Sequence, residues 1–145
     1  MTHIERSALV MFSAEQMFDL VNDVECYPEF LPGCVGAREI ARSDQELQGE
    51  LQLSRAGVKQ AFVTRNLLER PTRMTMELVE GPFTSLRGEW RFTVLAEDAC
   101  KVEFELHFEF SSRILAATAS KLFSGVANDM VDAMCRRAEQ VYGKQ

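Results

Sequence analysis

The chain has 145 residues, 46% of them hydrophobic, and a formal net charge of −6. That length suits one domain over residues 1–145, with no composition shift to mark a linker, and such a domain buries roughly 70% of the surface its unfolded chain exposes. The acidic balance excludes a general DNA binder, which needs a cationic face, and no apolar run approaches the ~20 residues that span a bilayer.

The first residues, Met1-Thr2-His3-Ile4-Glu5-Arg6, have no basic start, continuous apolar run or cleavage site, so no signal peptide is expected and the protein reads as soluble and cytosolic. From His3 to Phe12 the pattern alternates, with Ile4, Ala8 and Val10 on one side and Glu5, Ser7 and Leu9 on the other, which predicts a first strand. Ser13-Ala14-Glu15-Gln16 has the form of a capping box. The helix it opens presents Met17, Phe18, Leu20 and Val21 and is expected to end near Asn22-Asp23.

The next stretch is the most unusual. In Val24-Glu25-Cys26-Tyr27-Pro28-Glu29-Phe30-Leu31-Pro32-Gly33-Cys34, two prolines bar both a long helix and a central strand. Tyr27, Phe30 and Leu31 are nevertheless too apolar for an idle surface loop. A stiff apolar connector of this kind lies against a core or closes over a cavity.

Between about residues 35 and 111 the period is two almost throughout. Leu47, Leu51 and Leu53 alternate with polar residues, as do Met74, Met76 and Leu78, then Trp90, Phe92 and Val94. Val102, Phe104, Leu106, Phe108 and Phe110 alternate with Lys101, Glu103, Glu105, His107 and Glu109. Such patterns describe antiparallel strands with one solvated face. Turn chemistry at Ser43-Asp44, Ala56-Gly57, Arg70-Pro71-Thr72, Gly81-Pro82 and Glu97-Asp98 divides the region into six strands.

From Arg113 to about Tyr142 the spacing turns helical, with Leu115, Ala119, Leu122, Val126 and Met130 on one face. Gly125 inside this helix costs about 1 kcal/mol against alanine. Close approach of the helix to the sheet is the favoured reason for it, and a bend over a cavity is the alternative. A sheet with one apolar face and a long amphipathic helix bury both surfaces when the sheet curls around the helix. The expected fold is therefore α+β: a helix-grip arrangement of about seven antiparallel strands wrapped on a long C-terminal helix, with short helices after strand 1.

Chemistry-bearing motifs are sparse. Cys26, Cys34, Cys100 and Cys135 form no C-x-x-C pair and are expected to be free thiols. His3 and His107 lie far apart in sequence, and alternation puts His107 on the solvated side of its strand. No nucleophile elbow, zinc-protease motif or phosphate loop occurs. No catalytic residue, metal-ligand set or required cofactor is expected. Arg55, Lys59, Arg65, Arg70 and Arg73 are opposed within their segment only by Glu69, a local excess of four positive charges. A solvated hairpin face accounts for them, and a docking surface for ribosomal RNA or lipid headgroups is the functional alternative. The inward methionines Met74, Met76, Met130 and Met134 fill irregular space or line a cavity for a flexible apolar ligand.

The run Val21-Asn22-Asp23-Val24 through Tyr27-Pro28-Glu29-Phe30-Leu31-Pro32 resembles the signature of the coenzyme Q-binding family of the START-like, polyketide-cyclase-like superfamily. Gly81-Pro82-Phe83, Leu86 and Trp90-Arg91-Phe92 are similar to a second family stretch, and the likeness covers essentially the whole chain. The resemblance implies a helix-grip fold with a deep apolar cavity and no established catalysis. Mitochondrial members bind ubiquinone and support respiration; bacterial members include ribosome-association toxins that bind the large subunit and hinder subunit joining. Many quinone-binding members have tryptophan after the second proline, whereas Gly33 stands there in this chain and is similar to the toxin branch.

By position the resemblance implies that Tyr27, Pro28, Phe30, Leu31 and Pro32 form a cavity lid and that Phe83, Leu86 and Trp90 line it. Met74, Met76, Phe92, Leu122, Val126 and Met130 complete the expected ligand-binding set, for ubiquinone or another polyprenyl quinone. Two expectations follow: a quinone or lipid carrier with transient membrane-surface contact, and a protein that docks on the large ribosomal subunit through Arg55–Arg73. An aromatase/cyclase-type enzyme rests on superfamily analogy alone and needs a buried carboxylate or histidine in the cavity.

Overall fold

A computed structural model describes residues 2–143. Strand β1 (Thr2–Val10) leads into α1 (Ala14–Asn22), a 3-10 helix over Val24–Glu29, and strands β2 (Cys34–Arg42), β3 (Glu46–Arg55), β4 (Val58–Glu69), β5 (Arg73–Glu80), β6 (Phe83–Ala96) and β7 (Ala99–Phe110). Helix α2 (Arg113–Tyr142) closes the chain. The strands form one sheet in the order β1-β7-β6-β5-β4-β3-β2, antiparallel throughout. β1 and β2 are thus opposite edges, and the segment between them crosses from one edge to the other.

The expected capping box forms: Ser13 Oγ accepts from the Gln16 amide, and Gln16 Oε1 accepts from the Ser13 amide. β1 stops at Val10 rather than Phe12, because Met11 and Phe12 turn the chain toward that cap and the Phe12 ring packs on Tyr142. The prolines do exclude a long helix from the connector, which folds as a tight 3-10 turn instead.

Register shifts in β2, β5 and β6 mark bulges, each of which bends its strand and raises the local twist. Their sum curls the sheet around α2, and the core fills the space between them. Phe123 of α2 is the main anchor, with Phe108, Phe83 and Phe62 ring centroids at 4.7, 4.8 and 5.3 Å. At the other end α1 packs Phe18 edge-on to Phe92 at 5.8 Å.

Candidate functional site

The curl leaves a cavity of about 60 Å³ between sheet and helix. Its floor comes from Gly49, Leu51 and Leu53 of β3, Phe62, Thr64 and Asn66 of β4, Met74 and Met76 of β5, Leu86 and Trp90 of β6, and Phe104 and Leu106 of β7. Phe123, Val126, Ala127 and Met130 of α2 form the roof, and Val24 and Tyr27 of the 3-10 helix close one side. The space admits a few water-sized molecules. It lies well below the ~300 Å³ at which pockets for drug-sized ligands begin.

Almost every wall atom is apolar, so the polar exceptions define what chemistry is available. Asn66 is a buried polar side chain, 5% exposed. Its Oδ1 accepts from the Thr64 hydroxyl at 2.9 Å, while its Nδ2 reaches only the Met74 thioether at 3.8 Å. A thioether is a weak acceptor, so the amide retains donor capacity inside an apolar chamber. Tyr27 is fully enclosed and its hydroxyl donates to the Val21 carbonyl. Burial pushes that hydroxyl far above its ordinary range, so it is a neutral donor already in use. Among the described residues on the wall there is no carboxylate, histidine or cysteine.

Seven of the residues expected to bind ligand meet at this cavity: Tyr27, Met74, Met76, Leu86, Trp90, Val126 and Met130. The others do not border it. Pro28 and Pro32 are exposed, Leu31 is buried in the core, and Phe30 lies half-buried with the Arg137 guanidinium 5.2 Å over its ring. The connector is therefore a wall that contributes Val24 and Tyr27, not a lid made of its proline segment. Phe92 stacks beneath Trp90 and α1, Phe83 joins the rings around Phe123, and Leu122 packs in the core. Thr64 and Asn66 were missed, although they share the sequence parity of Phe62 and Leu68 and so stood on the apolar side of β4.

Both glycines that the sequence singled out have the same neighbour. Gly33 sits at φ +89°, and a Cβ there would come 2.7 Å from Val126 Cγ2 and 3.3 Å from Arg55 Nη2. A Cβ on Gly125 would meet Arg55 Nη1 at 2.7 Å. The Arg55 guanidinium thus lies in a slot between the connector and α2, donating to the Pro32 carbonyl at 3.3 Å and facing Asp129 at 3.6 Å. A side chain at position 33 would force Val126 to shift and would be strained by the positive φ. Gly125 marks a close approach to a β3 side chain.

The five basic residues do not form one patch. Lys59 and Arg70 flank opposite ends of β4, about 3.3 Å apart per residue, and most of the set is paired. Arg65 contacts Glu77 and, at 3.5 Å, Glu46; Arg70 contacts Asp19; Arg73 lies 2.8 Å from Glu69 and 3.5 Å from Glu89. Of the five, Lys59 alone has no ion pair among the described residues. The local excess in sequence is cancelled by acids from neighbouring strands and α1.

A family model described as polyketide cyclase / dehydrase and lipid transport matches residues 10–135. The chain belongs to this family. As a member of the polyketide cyclase and lipid transport family it is 50% identical over 144 residues to a Vibrio cholerae protein named ribosome association toxin RatA, covering 99% of this chain and all of that one. It is 29% identical over 143 residues to a Xenopus laevis protein named coenzyme Q-binding protein COQ10 homolog B, mitochondrial, covering 96% of this chain and 59% of that protein. Among solved structures, an 18 kDa protein from Caulobacter crescentus superposes with a TM-score of 0.75 at 29% identity, covering 99% of this chain and 100% of that one. The START-like fold implied by the sequence is thus the fold observed, and no described helix is long and apolar enough to cross a membrane.

Proposed function

We propose that this member of the family acts by association with the ribosome, binding the large subunit and hindering its joining to the small one. The observation that carries this reading is the likeness to the ribosome association toxin, 50% identical over 99% of this chain and all of that one. Two features of the structure support it. Gly33, where the resemblance implies tryptophan in quinone-binding members, has Val126 and Arg55 so close that a Cβ already crowds them. The cavity, about 60 Å³, holds no polyprenyl quinone without opening, so the protein in this conformation presents its surface rather than its interior.

Overexpression in bacterial cells followed by sucrose-gradient sedimentation tests the proposal. Free subunits accumulate at the expense of assembled ribosomes if it is right, and an unchanged profile removes it. The double variant Arg65→Glu, Arg70→Glu then asks where the protein docks. Loss of the shift assigns docking to β4, and a retained shift moves it to another face.

A second reading rests on Asn66. Its amide, buried in an apolar chamber with only a thioether in reach, suits a carbonyl acceptor on an apolar ligand, a quinone among them, bound rather than transformed. Native mass spectrometry after incubation with ubiquinone-loaded vesicles then shows a one-to-one adduct that Asn66→Leu weakens by up to about tenfold, the value of one hydrogen bond. An adduct-free wild-type protein ends this second reading.

A further inference from the structure

The sequence gives no hint of a metal site, because its two histidines come from opposite ends of the chain. Strand pairing brings them together. His3 of β1 and His107 of β7 are register partners, and their rings stack with centroids 4.1 Å apart and planes 7° from parallel. Glu105, two residues back on the same face of β7, completes the group. His3 Nε2 lies 3.0 Å from Glu105 Oε2, and His107 Nε2 lies 3.8 Å from that same oxygen. The three ligand atoms are all within 4.8 Å of one another.

We propose that His3, Glu105 and His107 form a binding site for a borderline divalent transition-metal ion of the zinc type, on the solvent-facing side of the sheet. A simple ion pair needs one histidine. Here two imidazoles place Nε2 beside one carboxylate oxygen; an ion that displaces the Nε2 protons gains all three donors once the stacked rings tilt toward it. Ligands held about 2.0–2.2 Å from a tetrahedral zinc ion are separated from one another by about 3.4 Å. The observed 3.0 and 3.8 Å bracket that value, and small side-chain rotations bring the third pair into range.

The donor set selects the ion. Two imidazoles with one carboxylate suit zinc, nickel or copper, whereas calcium and magnesium take oxygen ligands. The surroundings supply the remaining parts. Arg91 Nη1 lies 4.0 Å from Glu105 Oε1, the carboxylate oxygen not in contact with the histidines. Glu5 is the register partner of Glu105 and stands on the same face as a further anionic neighbour. Glu105 and His107 also form part of the wall of an open groove with Arg87 and Glu89, which gives the ion a path from solvent. Three protein donors leave one position for water or an incoming ligand. Because β1 is an edge strand, an ion held here ties the N-terminal edge to the one strand it pairs with.

Titration of the chelator-treated full chain with zinc chloride tests the site, read by calorimetry and by NMR of the histidine ring protons. One equivalent binds, both histidine rings shift together, and His3→Ala, His107→Ala and Glu105→Gln each weaken binding by more than about tenfold, the lower bound for loss of even an outer-shell partner. All three positions are solvent-facing, so the variants keep the wild-type circular dichroism spectrum. Histidine rings that stay unshifted at millimolar zinc overturn the proposal. So does a His3→Ala, His107→Ala double variant that binds as the wild type does, which places the ion on other donors, or calcium that binds as tightly as zinc.

Discussion

Cys26 shows how one contact sets the chemistry of a side chain. Its thiol donates to the Asp23 carboxylate at 3.1 Å, and that bond, reinforced by partial desolvation, pushes the thiol up to about 11. A thiolate is the reactive form, so raising the value leaves less of it at any pH below. An unperturbed cysteine near 8.5 is about one-quarter ionised at pH 8, whereas Cys26 is ionised on the order of a tenth of a per cent. Iodoacetamide labelling followed by peptide mass mapping is therefore expected to find Cys26 slow at pH 8 despite its partial exposure, and Asp23→Asn is expected to speed it by one to two orders of magnitude. Gly33 is the other residue with a sharp local requirement. Its positive φ and its contact with Val126 both exclude a side chain, so Gly33→Ala is expected to cost about 1–3 kcal/mol, measured as a lower urea midpoint. An unchanged midpoint contradicts the close packing of connector on helix.

At the scale of elements, α2 is held by what Phe123 inserts among the rings of β4, β6 and β7. Phe123→Ala removes the centre of that cluster and is expected to destabilise by about 3–5 kcal/mol, with Phe123→Leu costing clearly less; equal losses in urea unfolding contradict the ring packing. The elements were legible in the sequence where one face is wet and the other dry, as from Lys101 to Phe110, since polarity there tracks geometry residue by residue. Helix α2 was legible for the same reason at its own period. The cavity wall was only partly so. Period two tells which face a residue takes but not how far along the strand the cavity runs, so Phe92 and Trp90 share a face while only Trp90 borders the space. The bulge between Phe83 and Ser85 turns Phe83 to the same buried face as Leu86, where it joins the ring cluster around Phe123 rather than the wall. In the connector, the apolar residues marked burial, yet nothing local distinguished Tyr27, which turns inward, from Phe30, which takes the Arg137 guanidinium. Gly125 was legible as a close approach, but its partner Arg55 lies far away in sequence.

For the whole molecule, charge is the property that sequence counting most misjudged. A run of five basic residues against one acid became a set of cross-strand pairs once Glu46, Glu77, Glu89 and Asp19 arrived from other elements. Exposed pairs of this kind contribute little to stability, but they lower the free positive charge that a polyanion meets. In the proposed docking, an arginine that meets ribosomal RNA would exchange a carboxylate for a phosphate, and the salt dependence of binding would report how many do so. The small cavity points the same way, toward a protein that works through its surface. The direct measurement is co-sedimentation of the purified chain with purified large and small ribosomal subunits at two salt concentrations. The account predicts that the protein pellets with the large subunit at about one copy each, less so at the higher salt, and not with the small subunit. A protein that stays in the supernatant with both subunits contradicts it.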